Sequence, residues 1–226
     1  MNANVPHLVL DIGGYKTKAG FSGNSMPSEV VATPPDIFYN KIAKNFINYE
    51  RHLANLCATE LSLETVGKSA VVVESPFENQ QNRSKIYEIM FETFAFDKVA
   101  LVSDASMALY SHYLDSHDKK QDVDVSNLTG VVIDLGELQT SIVPVVEGYT
   151  IQRGIINFPI NGKRLTKLIS DNVSKLNPNL PKDLTSAHFK ELVRVVKESK
   201  AATSLSHITE PKGDKKLEVS VKGKVQ

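Results

Sequence analysis

Apolar positions along this chain alternate between short unbroken runs and longer, spaced stripes. Leu8–Ile12, Thr17–Ser22 and Glu29–Ala32 are short runs separated by Gly, Ser and Asn, and they predict three strands. Thr33-Pro34-Pro35 then interrupts regular structure. Ile37, Ile42, Phe46, Ile47, His52 and Leu53 form a spaced stripe that predicts a helix from Ile37 to about Leu56. Ser69–Glu74, with its continuous valines, predicts a strand covered on both faces. Asn79–Phe96 carries Ile86, Ile89, Met90 and Phe94 at helical spacing. A strand at Val99–Val102 and a helix at Ala105–Tyr113 follow, and Leu114–Asn127 reads as a solvated loop. Leu128–Leu135 predicts a strand, and Ser141–Val146 with Thr150–Asn157 predicts a hairpin turning at Glu147-Gly148. Helices are expected at Asn161–Leu176, with Asn161 as N-cap, and at Thr185–Thr203. The alternation of Leu217, Val219 and Val221 predicts an edge strand at Lys215–Val221. Clustered strands followed by strand–helix alternation give an α/β class with a mixed sheet.

Composition narrows the function classes. The 226 residues are 41% hydrophobic and 23% charged, which supports a packed core. A formal net charge of zero offers no electrostatic footprint for nucleic acid or a membrane surface, so neither is expected as a direct partner. Cys57 is the single cysteine, so no internal disulfide forms, and it is expected to be a small buried apolar residue. No apolar run approaches the ~20 residues of a membrane span. The first residues, MNANVPH, lack the basic and apolar regions of a signal peptide, and an intracellular protein is expected.

Two segments repeat one pattern. LVLDIGGYKTKAGF and VVIDLGELQTSIVP each run from an apolar strand into Asp-aliphatic-Gly, a short turn and a second strand containing Thr. The shared motif is D-[IL]-G-x-x-x-T at Asp11–Thr17 and Asp134–Thr140. Asp and Gly are also ordinary turn residues at strand ends. Recurrence more than a hundred residues apart favours an internal duplication. The chemistry suits phosphate: free turn amides form a donor nest, glycine lets backbone approach closely, and a strand-end aspartate can hold a hydrated Mg²⁺.

The paired hairpins resemble the two phosphate loops of the actin, sugar kinase and heat-shock ATPase superfamily. Further stretches are similar to actin-related proteins in particular. These are KAGFSGN at Lys18–Asn24, VVVESPFENQQNRSKIYEIMFETFAF at Val71–Phe96, VPVVEGYTIQRGI at Val143–Ile155, GKRLTKLI at Gly162–Ile169 and KELVRVVKES at Lys190–Ser199. The resemblance implies a ribonuclease H-like mixed sheet flanked by helices, and ATP or ADP with Mg²⁺ as cofactor. It implies that Asp11 and Asp134 stand on the metal side, that Gly13, Gly14 and Gly136 line the loops, that Lys18 contacts phosphate, and that Lys197 and Glu198 lie near the adenine.

Departures from the family pattern bear on activity. Gly14-Tyr15 stands where actin has Ser-Gly, so the hydroxyl that reaches the terminal phosphate is missing. Glu137-Leu138 replaces Asp-Gly in the second loop, and Leu138 cannot take a glycine-only backbone cheaply. Asp104 falls at actin's water-positioning glutamine and reads as a helix N-cap. Efficient ATP hydrolysis is not expected, and no catalytic residue is assigned.

The resemblance also shapes the expected organisation. Residues 1–160 would form the first large subdomain, with a shortened outer subdomain at about 33–68, and 161–226 would begin the second half. Beyond that beginning, the glycine-rich adenosine motif and the other large subdomain of an actin fold are not expected within these 226 residues, as in a fragment or a strongly diverged member. The shortened outer segment resembles the actin-related protein at the pointed end of dynactin, where a capping subunit has lost the loop that clasps a neighbour. That implies a cytoplasmic, cytoskeletal subunit whose partners are other actin-related proteins and complex components. The alternatives are a nuclear actin-related subunit of a chromatin-remodelling or histone acetyltransferase complex, and an ATP-binding kinase or chaperone-type ATPase of the superfamily.

Overall fold

The computed structural model describes residues 6–116, 124–178 and 186–200. Two compact units result, Met1–Gly162 and Lys163–Gln226. In the first, strands β1 (Leu8–Ile12), β2 (Lys16–Phe21), β3 (Glu29–Ala32), β6 (Ser69–Glu74) and β7 (Lys98–Ser103) form one sheet in the order β3-β2-β1-β6-β7. The β1–β2 and β2–β3 pairs are antiparallel, whereas β1–β6 and β6–β7 are parallel. This is the mixed sheet that the strand pattern predicts. Its core face carries Leu8, Leu10, Ile12, Ala19, Ala70 and Val72, all buried. Alternate residues of β1 point inward because side chains switch faces at each step of a strand.

The helices that cover this core end in an unusual way. Helix α1 (Phe46–Asn55) runs into a π-turn at Leu56–Glu60, and α2 (Gln80–Glu88) into another at Ile89–Thr93. Each is closed by an amide reaching back five residues, Leu61 to Leu56 at 2.9 Å and Phe94 to Ile89 at 3.2 Å. The wider turn keeps Leu56, Cys57, Ile89 and Met90 pointed at the core. Cys57 is buried among apolar side chains, and burial pushes its thiol up to about 11. Asn45 caps α1 by accepting the Asn48 amide, and Asn79 caps α2 by accepting that of Asn82.

The helix expected from Ile37 starts late. Ile37 is buried ahead of it, and Phe38–Tyr39 (β4) pairs with Ile42–Ala43 (β5) across a tight turn. Asn40 and Lys41 both take positive φ there, 48° and 63°, as a two-residue hairpin turn demands. The helix therefore begins at Phe46, and its buried face is Tyr49, His52 and Leu53, continued by Leu56 and Cys57. Ile47, which belongs to the sequence stripe, is 72% exposed. Turn chemistry at Asn40-Lys41 overrides the apparent helical period.

A second, antiparallel sheet holds β8 (Gly130–Leu135), β9 (Thr140–Val146), β10 (Tyr149–Thr150) and β11 (Ile156–Phe158) around β9. The expected single hairpin is broken. Glu147-Gly148 makes the turn, both with positive φ, but a 3₁₀ turn at Gln152–Gly154 then redirects the chain. Gly154 packs so closely on Pro144 that an added Cβ would lie 2.6 Å from its Cγ. Helix α3 (Asp104–Ser116) packs against strands of both sheets. In the second unit, α4 (Gly162–Leu176) and α5 (Ser186–Lys200) are joined by the Lys197 ammonium donating to Thr166 Oγ1 at 2.9 Å. The expected strand at Lys215–Val221 lies outside the described residues, as does part of the 114–127 loop.

Candidate functional site

The duplicated motif folds into two turns of the same register. In the first, Asp11 pairs with Lys18 and Ile12 with Thr17, and the Gly13 amide donates to the Lys16 carbonyl at 3.1 Å. In the second, Asp134 pairs with Ser141 and Leu135 with Thr140, and the Gly136 amide donates to the Gln139 carbonyl at 3.0 Å. Glycine is required at both positions by space. A Cβ on Gly13 would stand 2.8 Å from the Lys16 oxygen, and one on Gly136 2.7 Å from the Gln139 oxygen. The same residue type, register and hydrogen bond recur because the same local conflict must be avoided twice.

The loop tips meet. A Cβ on Gly14 would lie 2.4 Å from Leu138 Cγ, so the leucine side chain sits directly against the first loop. The second loop is also anchored from behind. Asn161 Nδ2 donates to the Leu138 carbonyl at 2.9 Å, and the Gly162 amide donates to the Gly136 carbonyl at 3.0 Å.

Charges at the site are paired within the protein. The Lys18 ammonium lies 2.8 Å from Asp11 Oδ2, both side chains partly exposed. Lys41, from the turn between β4 and β5, donates to Asp134 Oδ2 at 2.6 Å and also to Asp104 Oδ2. Burial works to lower the Lys41 pKa, but Asp104 and Asp134 outweigh it and hold the ammonium above its ordinary value. Burial likewise pushes the Asp104 carboxyl up, with Lys41 only partly offsetting it. Asp104 Oδ1 accepts the Ala105 amide at 2.6 Å, so the residue opens α3 and holds Lys41 at once. The bond to the next residue's amide is not the second- or third-amide contact of the expected N-cap, and Asp104 is itself the first residue of α3. Glu74 beside this group is raised by burial despite its 2.8 Å contact to Arg83.

Sequence reasoning missed Lys41. It lies 63 residues from Asp104 and 93 from Asp134, and no local pattern links them. Of the expected site residues, Asp11, Gly13, Gly14 and Lys18 share the first turn, and Asp134 and Gly136 the second. Gly14 and Leu138 join the two turns. Lys197 and Glu198 lie on α5 in the second unit. There Lys197 donates to Thr166, and Glu198 accepts from Arg194 at 2.6 Å.

The cofactor implied by the resemblance can be tested against this geometry. Hydrated Mg²⁺ needs only one or two carboxylates. Asp134 and Asp11, the candidates, each already accept a lysine ammonium. A polyphosphate needs room between the loops, where Leu138 stands against Gly14. An open concavity beside the site is lined by Asp11, Lys41, Glu74 and Asp104, and Gly14, Asp134 and Leu138 do not line it. The residues, as placed, do not fit a metal-bound polyphosphate.

Two Asp-x-Gly hairpins of the same register, one in the mixed sheet and one in the antiparallel sheet, define a protein built on one repeated strand–turn–strand plan. The chain belongs to the actin family, whose model, described as Actin, matches residues 39–212. It is 27% identical over 235 residues to Putative actin-29 of Dictyostelium discoideum, covering 88% of this chain and 56% of that protein. It is 25% identical to Actin-related protein 3 of the same organism, covering 87% of this chain and 54% of that protein. To Actin-related protein 3 of Drosophila melanogaster it is 25% identical, over 80% of this chain and 52% of that protein. The chain thus spans about half the length of the curated relatives it matches. Among the described residues, no helix is long and apolar enough to cross a membrane.

Proposed function

We propose that this protein is a structural, actin-related subunit of a multiprotein assembly, acting at the pointed end of the dynactin minifilament in the cytoplasm. The observation that carries this reading is the segment between β3 and β6. It folds as the short β4–β5 hairpin and α1, with Ile37, Ala43, Tyr49, Leu53 and Leu56 buried in the subunit's own core. A segment committed to its own core is poorly placed to clasp a neighbour, as suits a subunit that ends a filament. The loops support a structural role rather than a catalytic one. Gly14 supplies no hydroxyl, and Asp104, at the water-positioning place, is engaged by Lys41.

Affinity capture of the tagged protein from cells tests the assignment. Recovery of dynactin subunits is the expected result. Recovery of chromatin-remodelling or acetyltransferase subunits without dynactin would overturn it in favour of a nuclear role.

A further inference from the structure

Lys41 is accounted for neither by the repeated motif nor by the resemblance, yet its position is fixed more firmly than that of most surface lysines. The hairpin carrying it is held from below by two side chains of the α2 entry. Glu78 Oε2 accepts the Ala43 amide at 3.0 Å, and Asn82 Nδ2 donates to the Ala43 carbonyl at 2.7 Å. Asn82 is itself bonded to the other Glu78 oxygen at 2.7 Å, and Glu78 is buried. The Lys44 amide returns to the Ile37 carbonyl at 2.9 Å and closes the base of the hairpin. With its root fixed on both sides, the side chain delivers its ammonium between Asp104 at the start of α3 and Asp134 at the end of β8. A point charge with three donors suits that task.

We propose that Lys41 is the built-in cation of this site, tying Asp134 of the second hairpin to Asp104 of α3, while Leu138 packs the second hairpin against the first, without metal or nucleotide. This rests on reading the hairpins as equivalents of phosphate loops, not on which assembly the protein enters. Lys41 neutralises the carboxylate that a hydrated metal would use, and Leu138 takes the space against Gly14 that a phosphate chain would need. Asp11, Asp104 and Asp134 set against Lys18 and Lys41 leave one net negative charge, which disfavours a bare polyphosphate. A joint of this kind has no nucleotide state, so the subunit keeps one conformation where a nucleotide-dependent relative would switch.

Thermal unfolding of the full chain in EDTA, in millimolar Mg²⁺ and in millimolar Mg-ATP tests this. The three wild-type midpoints should agree within about 1 °C, because only a ligand that binds the native state raises the midpoint. Lys41→Met should lower the midpoint by about 3 °C or more and make it rise with Mg²⁺, since it leaves two carboxylates facing each other. A rise of several degrees for wild type in Mg-ATP, or a Lys41→Met midpoint equal to wild type, would overturn the proposal. Should Lys41→Met not fold, Asp134→Asn takes its place: a lowered midpoint without response to Mg²⁺ supports the proposal, and an unchanged one opposes it. A nucleotide response in the wild type would leave the assembly role standing, because capture of partners is read separately.

Discussion

The two hairpins have the same motif, register and closing hydrogen bond, and yet they rest on different foundations. The first lies in the middle of the larger sheet, over a core that includes Leu8, Leu10, Ile12, Leu53, Leu56 and Met90. Its motif threonine, Thr17, is fully buried, and its hydroxyl is bonded to Thr33 Oγ1 at 2.8 Å and to His52 Nε2 at 2.7 Å. The second rests on the smaller cluster of Ala105, Val143 and Val145. Its motif threonine, Thr140, is also buried, but Thr140 Oγ1, Gln139 Oε1 and Ser141 Oγ have no hydrogen-bond partner among the described residues. The other strand of that hairpin exposes Val131, Ile133 and Leu135. A repeated backbone motif needs only its glycine and its register, whereas its stability is set by whatever packs behind it.

The difference can be broken most forcefully in the strands. Leu10→Ala in β1 should cost about 2–5 kcal/mol, because the side chain is fully buried in the larger core. Ile133→Ala in β8, where the side chain is 61% exposed, should cost less than about 1 kcal/mol. Denaturant unfolding measures both, and similar losses would show that the two hairpins are equally supported.

The paired threonines give a finer test. Thr17→Val removes a partner from both Thr33 and His52 and should destabilise by about 1–3 kcal/mol. Thr140→Val removes a hydroxyl that has no partner, and should be neutral or slightly stabilising. Chemical denaturation of the two variants side by side checks this, and a larger loss at Thr140 would reverse the comparison.

His52 gives the first hairpin a pH dependence of smaller size. Burial lowers its pKa in the folded protein below the ordinary histidine value. The unfolded chain then binds the proton more readily, so the contribution is fully present above about pH 6.5 and is lost as pH falls through the folded value. The slope is at most about 1.4 kcal/mol per pH unit. It should appear as the difference between wild type and His52→Leu in unfolding measured from pH 7.5 down to about 5. An equal pH profile in the two proteins would show that His52 does not carry it.

Much of this was legible in the sequence where the signal is local. The strands of the larger sheet, the helix beginning near Asn79, the turn at Glu147-Gly148 and the Asp-x-Gly repeat follow from short-range pattern and turn chemistry. The helix expected from Ile37 did not, because the apolar spacing there straddles a turn that only Asn40-Lys41 betrays. The family was carried by the Val71–Phe96 block and the repeat, and the family match bears it out. The charge arrangement was not legible. Lys41 meets Asp134 across 93 residues, and only the fold brings a hairpin of the shortened segment to the end of β8. Leu138 was marked as a poor loop residue, but nothing in the sequence indicated that it would pack on Gly14.

Native-state amide hydrogen exchange across the two hairpins tests the contrast most directly. Amides of β1 around Leu10 should exchange only through global unfolding. Those of β9 around Ile142 and Val143 should exchange through a local opening of measurably lower free energy. Equal protection of β1 and β9, at the global stability of the protein, would contradict the account.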